Sequence, residues 1–271
     1  MTVSPEIEHG ETEVEDALED AFVRLVEEGE ERVQRPLLDQ VVTGLLGGLE
    51  VGTGVLALLA VEHATGSKLL AGLAFSIGFL ALLLARSELF TESFLVPVTA
   101  VAAGHGRLRD LLRLWGVTLV FNLVGGWVVM ALVMTAFPEF HETAAEAGTY
   151  FLEPGWTVRT FCLAVLAGST ITLMTRMQQG TDEMVGKIAA AIAGAFLLAG
   201  LQMFHSILDS LLVFAALFTG DVPFGYADCL SFLALALIGN AVGGLVLVTG
   251  LRMVRTSELL RKERARTLRG A

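Results

Sequence analysis

The apolar run from Leu69 to Ala103 is the feature that most limits how this chain can fold. It holds 35 residues, whereas a helix crossing a hydrocarbon core about 30 Å thick needs only about 20. The run is too long for one span and too short for two spans and a turn. Its middle reads Arg86-Ser-Glu-Leu-Phe-Thr-Glu-Ser93. An ionised side chain at that depth costs roughly 3 kcal/mol or more unless it is paired or hydrated. Irregular backbone survives there only where protein buries it or a wet cavity receives it. The run therefore predicts a span broken at mid-membrane, with the break facing a permeation pathway.

Composition supports a polytopic protein whose partner is the lipid bilayer: 54% of residues are hydrophobic and 17% charged, with a mean hydropathy of +0.67. The net charge of -11 is concentrated in residues 1–40, where thirteen acids face Arg24, Arg32 and Arg35. The rest of the chain is close to neutral. No basic face exists outside the C-terminal tail, which excludes nucleic acid as a partner. Cys162 and Cys229 both fall in apolar stretches and read as buried thiols. No metal or cofactor motif is present in the sequence, and the acidic N-terminus does not read as a signal peptide.

Six spans are predicted around this break. Residues 1–14 read as a disordered acidic segment, and residues 15–35 as an amphipathic helix with Leu18, Phe22, Leu25, Val26 and Val33 on one stripe. Its polar face is acidic rather than basic, so it is expected to dock onto protein, a neighbouring subunit for example, rather than onto anionic lipid. The first span covers residues 38–61, is rich in glycine and carries Glu50 near its centre. The second is the broken run. The third, 111–137, contains Asn122 and the pair Gly125-Gly126. A polar loop with Glu139, Glu142, Glu146 and Glu153 leads to the fourth span, 158–174. A second over-long run, 185–218, carries His205 and Asp209. The sixth span is 229–251. The domains so drawn are a tail at 1–35, a channel domain at 36–254 and a basic tail at 255–271.

Lysine and arginine counts set the orientation. The loops after spans two and four hold Arg107, Arg109, Arg113, Arg176 and Lys187, and residues 252–271, after the sixth span, hold seven basic residues. The alternate loops hold only Lys68 and Arg159. Both termini are expected in the cytoplasm. A repeat is also visible, since Asn122-Leu-Val-Gly-Gly-Trp-Val in span three matches Asn240-Ala-Val-Gly-Gly-Leu-Val in span six, 118 residues later. The same offset carries His205 onto Ser87, inside the first break. Three spans per half make the halves inverted, and paired broken spans in an inverted repeat point to a midplane site. The expected fold is all-α, with an aquaporin-like inverted 3+3 repeat and broken second and fifth spans.

The order and spacing of Phe75-Ser-Ile-Gly, Glu88-Leu-Phe-Thr91, Asn122-Leu-Val-Gly-Gly, His205-Ser-Ile and Gly239-Asn240-Ala-Val-Gly-Gly resemble the formate/nitrite transporter family. The resemblance covers about residues 15–255 and implies a homopentamer with one pore per subunit. It implies an inner constriction of Leu89, Phe90 and Phe79 and an outer one of Phe75 and Leu198. It also implies a central pore histidine, His205, facing Thr91. Asp209 stands where the family commonly has Asn, Glu92 where it has a small residue, and Gly168 where it offers Asn. Glu50 is a further departure, and the family's outer lysine has no counterpart near Leu152.

What the resemblance implies is a channel for small monovalent anions or their weak acids, with proton linkage through His205. An anion in a narrow apolar pore meets a large desolvation cost, which a dipolar site or protonation relieves. A histidine suits protonation because it titrates near neutrality. Glu50, Glu92 and Asp209 weigh the other way if they face the pore as anions. Two unit charges about 6 Å apart at an effective dielectric near 20 interact by about 2.8 kcal/mol. A pore for a small cation or neutral solute is thus the alternative, and a non-transporting scaffold a more distant one. An intramembrane enzyme is not expected, because no second histidine or nucleophile–base pair lies in a span. Arg86 is expected to clamp Glu88 or Glu50, and Glu88 to brace nearby N–H groups.

Overall fold

The computed structural model describes residues 5–270, with side chains described from 18 to 267. The chain runs α1 (Pro5–Gln34), α2 (Leu37–Thr65), α3 (Lys68–Ala74), α4 (Ser76–Ala85), α5 (Val96–Ala103), α6 (Leu108–Ala136), α7 (His141–Leu152), α8 (Val158–Gln179), α9 (Met184–Gly200), α10 (Leu208–Thr219), α11 (Tyr226–Ala241), α12 (Leu251–Arg255) and α13 (Ser257–Gly270). A π-helical stretch, Val242–Gly250, joins α11 to α12 and makes one long span of them. Both over-long runs are interrupted. The first stops at Ala85, turns through a 3₁₀ segment at Phe90–Phe94 and resumes as α5; the second stops at Gly200 and resumes as α10.

Both interruptions begin in the same way. Arg86 (φ 57°) and Gln202 (φ 49°) are the non-glycine residues with left-handed backbone among the described residues. Each is followed by an N–H that reaches five residues back, Ser87 to Leu82 at 3.2 Å and Met203 to Leu198 at 3.0 Å. That bond satisfies a carbonyl the ending helix would leave bare in the membrane. The left-handed turn costs a side-chain-bearing residue about 1–2 kcal/mol. It persists because the flanking helices are held by close packing.

Glycine makes that packing possible at two related crossings. A Cβ on Gly125 would meet Leu45 O at 2.4 Å, and one on Gly243 would meet Val165 O at 2.0 Å. The next glycine of each pair faces a side chain from the other over-long run, Leu211 of α10 on Gly126 and Phe94 of the first break on Gly244. The Asn-x-x-Gly-Gly... spacing in α6 and α11 thus seats α2 and α8 on one side and the over-long runs on the other. Gly168, where the resemblance implies Asn, has room for no side chain: its Cβ would lie 2.1 Å from Asn240 O.

Three expectations need correction. Cys162 is exposed on α8, and only Cys229 is the buried thiol expected of both. Residues 138–157 form no loop but contain α7, whose Ala144, Ala147, Gly148 and Phe151 are buried. Their helical spacing against α10 outweighs the acids between them. The disordered reading of 1–14 fails from Pro5 onward, where α1 begins; residues 1–4 lie outside the described residues. As expected α1 docks onto protein, here its own subunit, with Phe22 and Val26 against Ala103, Leu259 and Leu260, and Leu25 against Leu95 and Val96.

His105, in the turn between α5 and α6, ties both termini to this surface. Its Nδ1 lies 2.8 Å from Glu30 of α1 and its Nε2 3.1 Å from Glu263 of α13, with Thr267 Oγ1 also at 3.1 Å from Nε2. Partial burial opposes the charge, but the two carboxylates outweigh it and hold the imidazole above its ordinary value. A group whose pKa rises on folding adds stability below its unfolded pKa and loses it as pH climbs through the folded value. The protection of amides in residues 257–267, meaning their exchange relative to the intrinsic rate at each pH, should therefore be greatest at mildly acid pH and fall as pH rises past neutrality. His105→Ala should abolish that pH dependence while leaving exchange in α6 unchanged.

Candidate functional site

The site is built where the two breaks meet. Asn122 of α6 is fully buried and grips the first break, donating from Nδ2 to Glu88 O (2.9 Å) and Gly44 O (2.8 Å) while Oδ1 accepts from Phe90 N–H (2.9 Å). Asn240 of α11 does the same to the second. Its Nδ2 donates to Phe204 O and Ala164 O, and its Oδ1 accepts from Ser206 N–H, each at 2.9 Å. The two clamps correspond group for group, with Leu89 in the place of His205. The correspondence is two residues away from the Ser87 that the 118-residue offset selects.

His205 and Thr91 are thereby brought together. Thr91 Oγ1 and His205 Nε2 are 2.8 Å apart, and both residues are fully buried. His205 Nδ1 accepts from Leu208 N–H (3.1 Å) and Ile207 N–H (3.3 Å). That assigns the proton to Nε2, which donates to Thr91 Oγ1, and it leaves the threonine hydroxyl hydrogen unengaged. Asp209 Oδ2 accepts from His205 N–H at 2.5 Å. The N–H groups from His205 to Leu208 are thus all satisfied within the second break, so none is left to hold an anion.

The apolar residues expected to flank this contact belong to one buried core. Phe75, Leu89 and Leu198 are fully buried and Phe79 nearly so, with the Phe75 and Phe79 rings edge to face at 5.0 Å. Phe90 turns its ring instead toward Phe94 (5.2 Å) and Trp115 (6.5 Å). The Trp115 Nε1–H fixes that cluster by donating to Ser93 O at 3.2 Å.

The three carboxylates do not share a chamber. A cavity of about 400 Å³ opens on the α1 side and is lined by Glu92 together with Arg32, Arg35, Arg86, Glu88 and Lys187. Asp209 instead borders a cavity of about 10 Å³ on the far side, with Glu62, Lys68 and Gln202. There Glu62 is ion-paired with Lys68. Glu50 lines neither; its Oε1 accepts from Ser87 Oγ at 2.8 Å and braces the first break from behind. The expected Arg86 clamp is also absent, since Arg86 makes no ion pair among the described residues and points into the larger cavity. Glu88 is held by Arg35 at 2.8 Å. That guanidinium arrives from the end of α1, 53 residues away in sequence. No periodicity in the spans could reveal it.

A family model described as Formate/nitrite transporter matches residues 19–254. The chain belongs to that family. It is similar to the inner membrane protein YfdC of Escherichia coli, 28% identical over 231 residues, or 80% of this chain and 72% of that protein. It is similar also to a probable formate transporter of Methanothermobacter thermautotrophicus, 26% identical over 79% of this chain and 87% of that protein. A formate channel of Bacillus thuringiensis is 26% identical over 81% and 88%. Among solved structures, an FNT family ion channel superposes with a TM-score of 0.74 at 20% identity, covering 89% of this chain and 99% of the other. A pentameric formate channel with formate bound gives 0.65 at 21% identity, covering 80% and 96%. The fold is that of the family's channels, in a multi-pass membrane protein.

The functional residues that reasoning from the sequence passed over are the clamps themselves. Asn122 and Asn240 stood in the repeat motif, and a fully apolar environment around an asparagine was the available signal. Asn122→Leu and Asn240→Leu should each strand one N–H and one C=O of a break, at about 1–3 kcal/mol per group. Unfolding of the purified protein should show a loss of about 2–6 kcal/mol for either variant, with amide exchange rising first in the break it serves.

Proposed function

We propose that the chain forms a pore for small monovalent anions that cross as their neutral weak acids, formate and nitrite being the model substrates. The observation that carries this reading is the Thr91–His205 contact, a meeting of two neutral hydrogen-bonding groups inside an apolar sleeve. The larger cavity sets Arg32, Arg35, Arg86 and Lys187 against Glu28, Glu31, Glu88 and Glu92, and Arg86 and Lys187 make no ion pair among the described residues, so an anion entering it meets two unpaired cations. Beyond it, Phe79, Leu89, Phe75 and Leu198 offer no compensation for a charge, and a bare anion would meet a cost of several kcal/mol. Protonation removes most of that cost. The acid then passes from the Thr91 hydroxyl and the His205 Nε2–H to the far cavity.

His205 here acts as a fixed donor. Protonating Nδ1 would set an N–H against the Ile207 and Leu208 N–H groups that now donate to it. The proton must therefore travel with the substrate. Under this reading the termini are cytoplasmic, the larger cavity is the inner vestibule, and the subunit assembles as a homopentamer, in line with the likeness to the pentameric formate channel. The protein acts by conduction rather than catalysis.

Counterflow into liposomes, with a panel of formate, nitrite, chloride, ammonium and a neutral solute, tests the reading. Formate and nitrite should move and ammonium should not. His205→Phe should abolish flux while the oligomer survives, because it removes the polar midpoint. Asp209→Asn keeps an acceptor for His205 N–H and removes a charge that a neutral permeant does not feel, so weak-acid flux should hold within a fewfold. A fall in ammonium flux with weak acids still excluded would instead assign a cation pore.

A further inference from the structure

A second cluster of cations lies outside both vestibules. Arg176, in the last turn of α8, and Arg252 and Arg255, on α12, line one cavity of about 30 Å³ together with Leu18, Phe22 and Leu25 of α1. Among the described residues none of these three guanidiniums makes an ion pair, and Arg176 Nη1 is buried without a hydrogen-bond partner. The neighbouring Arg24 is engaged by Asp182 at 3.3 Å. Three like charges gathered over an apolar floor repel one another, and a buried guanidinium nitrogen without an acceptor is costly. Both penalties vanish if an anion occupies the cavity.

The surroundings describe the rest of that ligand. Leu251 and Val254, on the turns that carry Arg252 and Arg255, are 66% and 73% exposed. Leu173 and Met177 are exposed on α8 beside Arg176. The cluster sits where α8 ends at Gln179 and the sixth span ends at Arg255, which is where a bilayer's headgroups lie. A cavity of this size takes two or three water-sized atoms, at about 10–15 Å³ each. It suits the oxygens of a phosphate and leaves acyl chains to run over the exposed apolar residues.

We propose that Arg176, Arg252 and Arg255 form a binding site for the phosphate of an anionic phospholipid, in the leaflet on the α1 side of the bundle. Because Leu18, Phe22 and Leu25 form its floor, the lipid also fastens α1 against the ends of the fourth and sixth spans. The acidic polar face of α1 would by itself repel such a lipid. The cluster supplies the cations that let the helix rest at a negatively charged surface.

Native mass spectrometry of the full-length protein in neutral detergent tests this. Phosphatidylglycerol should be retained in preference to phosphatidylcholine of the same chains. Each arginine near a headgroup contributes about fivefold, so Arg252→Gln with Arg255→Gln should weaken phosphatidylglycerol by about 25-fold. Oligomer mass and solute flux should be unchanged. In the unsubstituted protein, added salt should release phosphatidylglycerol and spare phosphatidylcholine, which keeps the test decisive if the double variant fails to fold. Equal retention of the two lipids by the unsubstituted protein would overturn the proposal. So would unchanged affinity in a folded double variant, or salt-independent retention. Displacement of phosphatidylglycerol by inorganic phosphate at low millimolar concentration would also overturn it, by assigning the cluster to a free anion.

Discussion

A side-chain amide holding a broken backbone is the interaction on which this structure depends. Inside a bilayer every N–H and C=O must find a partner in the protein. A chain that leaves the helix at mid-membrane must therefore be met by a group offering both donor and acceptor. Asparagine does so with one planar amide. Asn122 spans the Glu88 carbonyl and the Phe90 N–H, and Asn240 spans the Phe204 carbonyl and the Ser206 N–H. In each break the residue between the two gripped positions is held in place, Leu89 in one and His205 in the other. The glycines that follow each asparagine bring the helices close enough for the grip to close.

The charges of the pore region are arranged around that neutral centre rather than in it. Arginines delivered by α1 and by the helix end at Arg86 lie in one vestibule, where Arg35 neutralises Glu88. Asp209 spends an oxygen on the His205 N–H, and Glu50 spends one on Ser87. The acids that argue against an anion pore in the sequence are thus either structural or confined to the vestibules. Under the proposed reading the electrostatic barrier they would raise at the midpoint gives way to a desolvation barrier, which would select for neutral species.

Much of the architecture was legible because membrane spans announce themselves by length. The two over-long runs and the six-span pattern follow from the constraints on backbone in lipid, whereas the meeting of Thr91 with His205 was legible only through the resemblance to the family. The repeat offset was legible only in part. It is 118 between Asn122 and Asn240 but 116 between Arg86 and Gln202. Connecting segments of different length shift one element against the next, and a motif match in α6 cannot see that shift. The pairing of Glu88 with Arg35 was hidden for a related reason, since it depends on how a helix outside the membrane crosses the vestibule. Phe90 was legible as a buried ring but its direction was not, because Trp115 on a different span decides it.

The central claim is that His205 stays neutral and the permeating acid carries its own proton. Liposome flux measured across pH for two transported weak acids of different pKa tests it most directly. The account predicts two curves of the same shape, displaced from each other by the difference between the acids' own pKa values, because only the substrate titrates. Two curves that share one midpoint near the ordinary histidine value, whichever acid is transported, would contradict it.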